Sequence, residues 1–193
     1  MARHSITRAL VVEVAARHVN SHGYAALALA PIATTLGIKL PSLYNHVDGL
    51  DGLRAALAGY GAQALSVRCR DAAVGRGGAD ALWAIADAMR SYIILNPGTY
   101  AASLAPQTAP NLELAQANHE LTELLERILI PYELNSAERT NVLRGFRSLV
   151  HGFATLETAD AFGLPIDMNS SFQTIMQHYI AGIKRPQRSA ALL

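Results

Sequence analysis

Cysteine is nearly missing from this chain: Cys69 is the one thiol among 193 residues. A single thiol cannot close an internal disulfide, so a disulfide-stapled scaffold and a cysteine-based zinc site are both excluded. Charged residues make up only 16% of the sequence and aromatic residues 6%. A natively unfolded chain needs many charges and few apolar groups; here 51% of residues are hydrophobic, which excludes it. The net charge of +1 lacks the basic excess that neutralising a nucleic-acid backbone usually requires. Long uninterrupted apolar runs are also missing, so no membrane-spanning helix is expected. Arg8, Glu13 and Arg17 break the apolar stretch where the core of a signal peptide would lie. These absences point to a cytoplasmic protein.

Strand signals are almost absent too. There is no sustained alternation of period two and no Asn-Gly or Asp-Gly hairpin. Helical periodicity takes their place, and the fold class is all-α with about nine helices. Ile6, Leu10 and Val14 recur at helical spacing up to a stop at Gly23. A short helix spans 29–36, with Pro31 in its first turn and Gly37 past its end. A second short helix covers 40–47, and a longer one runs from about 50 to 74. The glycines at 75, 77 and 78 break the pattern. Helices follow over about 80–95, a short piece at 99–105, 112–129, and one opening at Ser136 as N-cap. In that last helix Val142, Phe146, Leu149, Phe153 and Leu156 form a seam repeating every 3.5 residues. Asp167 or Asn169 can cap a final helix carrying Phe172, Ile175, Met176, Tyr179 and Ile183. The tail, residues 186–193, is expected to be disordered.

Enzyme chemistry finds little support. No Gly-rich phosphate loop and no nucleophile elbow is present. His119-Glu120-Leu121-Thr122-Glu123 begins like a metalloprotease motif, but Glu123 stands where the second histidine belongs. A di-iron bundle would need Glu-x-x-His pairs, and none occurs. The acidic run Glu113, Glu120, Glu123, Glu126 and Glu133 reads as a solvated helix face. No catalytic residue, metal ligand or cofactor is assigned.

The informative stretch is Ile32 to Val47. Two short helices joined at Gly37-Ile38-Lys39 have the pattern of a helix-turn-helix. Ile32, Ala33, Leu36 and Ile38 supply the inner side of the first helix and the corner, and Leu43 and Val47 that of the second. The opposite face presents Lys39, Ser42, Asn45 and His46, with Tyr44 alongside, groups able to meet phosphates and base edges. By spacing alone, an ordinary helical hairpin with a solvated polar face fits as well.

The stretch Leu36-Gly37-Ile38-Lys39-Leu40-Pro41-Ser42-Leu43-Tyr44-Asn45-His46-Val47 resembles the recognition-helix signature of TetR-family transcriptional regulators, which ends in Leu-Tyr-x-His and an apolar residue. The resemblance implies operator contacts from Lys39, Pro41, Ser42, Tyr44, Asn45 and His46, with Thr34 and Leu40 added on the same side. Two stretches further along are similar to a C-terminal domain type of that family named for a Trp-His-Gly triplet. They are Asn96-Pro97-Gly98-Thr99-Tyr100, and Leu149 to Glu157 followed by Phe162-Gly163-Leu164-Pro165. Val150 stands in place of the tryptophan before His151-Gly152. Other departures lie where the family places phosphate-binding groups: Ala28, Leu29, Ala30 and Pro31 open the second helix, and Leu50 replaces a lysine.

Three roles follow from the resemblance. Residues 1–52 form a DNA-binding domain and 53–185 a ligand-binding and dimerisation domain. A small, partly hydrophobic effector of unknown identity is lined by Trp83, Met89, Tyr92, Tyr100, His119, Phe146 and His151. A homodimer forms through Val142, Leu149, Phe153, Leu156, Phe172, Ile175, Met176 and Tyr179, and sits on a palindromic double-stranded operator. The expected function is effector-released repression; the alternative is a helical small-molecule-binding protein with weak or lost DNA binding. Charge sorted by position supports the former: residues 1–46 carry Arg3, Arg8, Arg17 and Lys39 against Glu13 alone, a local +3 hidden by −2 elsewhere.

Overall fold

The computed structural model describes residues 5–183. Among them are nine α-helices and no strand: α1 (Arg8–His22), α2 (Leu29–Leu36), α3 (Leu40–Leu43), α4 (Gly49–Ala73), α5 (Gly78–Leu95), α6 (Pro97–Leu104), α7 (Leu112–Leu129), α8 (Ser136–Thr158) and α9 (Met168–Gly182). Short 3₁₀ turns at Tyr24–Ala26 and Ile130–Tyr132 follow α1 and α7. The all-α expectation holds. The tail expected to be disordered, 186–193, lies outside the described residues.

Helix ends follow local chemistry. Thr7 caps α1 by accepting from the Leu10 N–H. The cap of α8 is Asn135, one residue before the serine expected in that role. Its side chain accepts from Glu138 N while the Glu138 carboxylate accepts from Asn135 N, so two otherwise orphaned donors are satisfied reciprocally. Asp167, one of the two candidates for α9, caps that helix through Ser170 N at 2.7 Å.

The helices sort into two compact units. The first holds the described residues up to Ser66 together with Leu95–His119; the second holds Val67–Ile94 and the described residues from Glu120 on. The role boundary expected at 52/53 falls inside α4, which runs through it unbroken. In the first unit Val11, Val14, Ala15 and Val19 of α1 share one core with Ile32, Leu43, Val47, Leu53 and Leu57. Because α1 is the hub of this core, it fixes where α2 and α3 stand. In the second unit Leu82, Ile85, Phe146, Phe172 and Met176 are fully or almost fully buried.

One charged group sits inside the second unit. Arg90 is 7% exposed. Its guanidinium donates to both Glu157 carboxylate oxygens, at 2.6 and 2.7 Å, and to Asn169 Oδ1 at 2.9 Å. The rings of Phe172 and Phe153 face it at 5.0 and 5.5 Å. The paired carboxylate holds the guanidinium protonated, against the opposing effect of burial.

Candidate functional site

The turn between α2 and α3 is built by Gly37. Its backbone is left-handed, at φ 67° and ψ 28°, where a side chain would be strained. The Gly37 N–H donates to Thr34 O and the Ile38 N–H to Ala33 O, the paired bonds that close a helix end. Ile38 then packs into the core corner. From there α3 sets off with Leu43 wholly buried and Val47 nearly so.

The second helix is shorter than the expected 40–47. Regular α-helix covers only Leu40–Leu43. Beyond it the chain tightens: Asn45 N donates to Ser42 O and His46 N to Leu43 O, both three residues back. The cause is the approach to α4. Gly49 adopts φ 67° and its N–H donates to Val47 O, so the chain must turn immediately after Val47.

On the side opposite Leu43, the polar set expected from the sequence is brought together. Lys39, Leu40, Pro41, Ser42, Tyr44 and Asn45 are exposed and His46 is half-buried. Tyr44 shows 55% of its surface, a high exposure for a large aromatic side chain. Thr34, on α2, is exposed as well, with its hydroxyl donating back to Ala30 O at 3.0 Å. The start of α2 has Ala28 at the cap position and no side-chain cap, leaving the first N–H groups of the helix to whatever lies outside it. Near the start of α4 the first cation is Arg54, paired with Asp51 at 2.9 Å.

The residues expected to line a ligand site scatter. Met89, Tyr92 and Phe146 are buried in the second unit, with Arg68 over the Tyr92 ring at 5.7 Å. Tyr100 and His119 belong to the first unit, Tyr100 buried and His119 exposed. His151 is half-buried on α8, beside the Thr155 hydroxyl. Trp83 alone of the seven lines an open groove of roughly 420 Å³ on the second unit, with Tyr132, Gln177, Ile180 and Ile183 among the other lining residues. Burial pushes the Tyr132 phenol above its ordinary range. Sequence reading missed Tyr132 because it lies on a 3₁₀ turn outside any periodic stretch, and missed Ile180 because it reads as plain core.

The expected dimer residues divide by direction. Phe153, Phe172 and Met176 are buried within the protomer, so they have no free surface to give a partner. Tyr179 is half-buried, and its hydroxyl donates to Val142 O at 2.5 Å, joining α9 to α8 inside one chain. Val142 and Leu149 are half-buried. Leu156 and Ile175 are exposed at 47% and 40%, and Leu164 and Ile166 on the intervening loop more so. The correction has a physical reason: a period of 3.5 identifies an apolar stripe without saying which neighbour covers it.

No helix among the described residues is long and apolar enough to cross a membrane. Nor do the described residues hold a group of three His, Cys, Asp or Glu able to bind a metal ion.

Similarity to known proteins runs the length of the chain. A family model described as tetracyclin repressor-like, C-terminal domain, matches residues 82–179. The uncharacterized HTH-type transcriptional regulator YobS of Bacillus subtilis (strain 168) is 31% identical over 183 residues, which is 94% of each chain. Among solved structures, a protein of unknown function from Rhodococcus sp. RHA1 superposes with a TM-score of 0.80 at 18% identity, over 95% of this chain and 97% of that one. A TetR variant from Acinetobacter baumannii AYE, in complex with minocycline, gives 0.70 at 20% identity, over 92% and 96%. At those identities the structural matches establish the fold.

Proposed function

This chain belongs to the TetR family of transcriptional regulators, and from that premise we propose that it is a repressor that grips a palindromic operator as a homodimer and lets go when a small apolar molecule binds. The observation that carries the reading is the surface of α3 and its flanks. Leu43 and Val47 anchor it inward while Lys39, Leu40, Pro41, Ser42, Tyr44, Asn45 and His46 stand outward together.

Each outward group has a use on a duplex. Lys39 and the Tyr44 hydroxyl suit phosphate oxygens; Ser42, Asn45 and His46 suit base edges. Leu40 and Pro41 cannot hydrogen-bond through their side chains. Exposed at the start of the reading helix, they fit the methyl groups of thymine in the major groove. Two protomers related by a twofold axis would repeat this surface one helical turn along, which is why the operator should be palindromic. The exposed Leu156 and Ile175, with Leu164 and Ile166 nearby, are the apolar groups available for that pairing.

For the effector, the groove beside Trp83 supports a small molecule with one flat apolar face and one or two hydrogen-bonding groups. The groove is open to solvent, so it would hold such a molecule against its apolar floor with one side still in water, and Gln177 and Tyr132 supply the polar contacts.

The test is a salt-titrated binding assay of the full chain against DNA from its own upstream region and against random DNA. Specific binding should be at least roughly a thousandfold tighter. Lys39 from each of two protomers predicts a slope of log K against log salt of about −2. Binding no tighter than to random DNA would overturn the reading and leave a helical small-molecule-binding protein. Replacing thymine by deoxyuridine at the contacted positions should weaken wild-type binding, and weaken binding by Leu40→Ala less.

A further inference from the structure

We propose that Asn20 is a positioning residue for the reading surface, locking the end of α1 to the first turn of α6 so that the two move as one body. The inference deepens the DNA-binding reading and rests on it.

The first turn of α6 is capped from far away in the chain. Asn96 occupies the cap position, but its side chain does not cap the helix. Asn20 of α1 does so instead: its Oδ1 accepts from the Thr99 N–H at 2.9 Å, while the Thr99 hydroxyl lies 3.2 Å from Asn96 O and 3.4 Å from Asn20 Oδ1 and can donate to one of them. The other end of the same amide donates to Asn96 Oδ1 at 3.3 Å. Thr99 is 1% exposed, so the bond from its N–H to Asn20 is shielded from water on the Thr99 side and costly to lose.

Backbone packing makes the joint stiff. A Cβ built on Gly98 would lie 2.1 Å from the Val19 carbonyl oxygen and 2.8 Å from Asn20 N; one built on Gly61 of α4 would lie 2.5 Å from Thr99 O. The turn at 97–99 is therefore pressed onto the α1 backbone on one side and the α4 backbone on the other, with no flexible side chain between to absorb a displacement. Along α1 the next links are the buried Val19, Ala15 and Val11, which share their core with Ile32 and Leu43. Those are the residues that seat α2 and α3. A shift of α6 is transmitted to the reading surface through rigid contacts rather than lost in side-chain rearrangement.

Hydrogen exchange of the full chain, with and without DNA from its own upstream region, tests the lock. In the wild type, DNA should slow exchange in the segment 28–47 and also, by at least about threefold, in the remote segment 97–104. Asn20→Leu should keep the first effect and lose the second. Asn20→Asp keeps the acceptor for Thr99, and Asn96 can turn its amide to donate to the new carboxylate, so the second effect should return. If the leucine variant does not fold, Asn20→Ser, too short to reach α6, serves in its place. Protection of 97–104 that persists in the leucine or serine variant, or that is missing in the wild type while 28–47 is protected, overturns the proposal. An unprotected 28–47 in the wild type removes the DNA-binding reading and this inference with it.

Discussion

Removing the anion beside Arg90 is the sharpest test of how the second unit is held together. The guanidinium makes two bonds to Glu157, a third to Asn169, and lies between Phe153 and Phe172, with 7% of Arg90 exposed. Glu157→Leu leaves that cation desolvated and unpaired. Breaking one side of a buried pair costs roughly 3–5 kcal/mol. For a chain of this length each kcal/mol lowers Tm by about 2–4 °C, so a fall on the order of 10 °C is expected. Arg90→Lys should cost nearly as much, because a single ammonium cannot span both carboxylate oxygens and Asn169 at once. The informative variant is the double one, Arg90→Met with Glu157→Leu. It removes both charges and keeps apolar volume between the two rings, so it should be more stable than Glu157→Leu alone. Thermal unfolding followed by circular dichroism reads these four proteins and Arg90→Met alone, at one protein concentration because subunit association shifts Tm. Two results would refute the reasoning: a loss below about 1 kcal/mol in Glu157→Leu, which is the size of a hydrated surface pair, or a double variant as unstable as the sum of the two singles.

Three further outcomes follow from single positions. Gly98→Ala places a methyl group against the Val19 backbone, which cannot swing aside, and should destabilise the chain by roughly 1–3 kcal/mol in chemical denaturation. Ala28→Ser supplies an acceptor for the Ala30 N–H at the start of α2, where Pro31 offers no N–H of its own, and should raise stability by about 0.5 kcal/mol in the same assay. The N–H and hydroxyl of Ser170 hold the Asp167 carboxyl below the usual carboxylate range. Its contribution is therefore complete above about pH 4, the ordinary value, and is lost as pH falls through the lower folded one; Asp167→Asn should flatten that part of the stability–pH curve.

Much of this fold is legible in the sequence because its signals are local. Gly23, Gly37 and Pro131 mark helix ends by backbone geometry alone, and α2 and α7 lie where spacing puts them. The reading surface is legible for the same reason: Leu43 and Val47 define an inside, and everything opposite them is outside. What could not be read depends on contacts between distant positions. Nothing near Asn20 announces that it caps a helix 79 residues away, and nothing near Arg90 names Glu157. The stripe on α8 and α9 shows the limit most clearly. Phe153, Phe172 and Met176 share a period with Leu156 and Ile175, yet the first three close the protomer's own core.

The small basic excess of the N-terminal segment shrinks further once the side chains are placed. Arg8 faces Glu113 at 3.3 Å, an exposed and weakly held pair that still partly offsets one of its cations. Ala28 adds no polar group to the start of α2. A regulator with few free cations gains little from the sequence-independent attraction that lets DNA-binding proteins sit anywhere on a genome. Beside Lys39, the contacts proposed above are short-range: Ser42, Asn45 and His46 toward base edges, the Tyr44 hydroxyl toward a phosphate, Leu40 and Pro41 toward thymine methyls. Such contacts depend on a close fit, so a larger share of the binding free energy rests on holding α3 at the right angle. That demand falls on α1, which carries the core of the first unit, and it gives the chain a reason to fasten α1 to α6 with a half-buried, directional amide in place of a looser apolar contact.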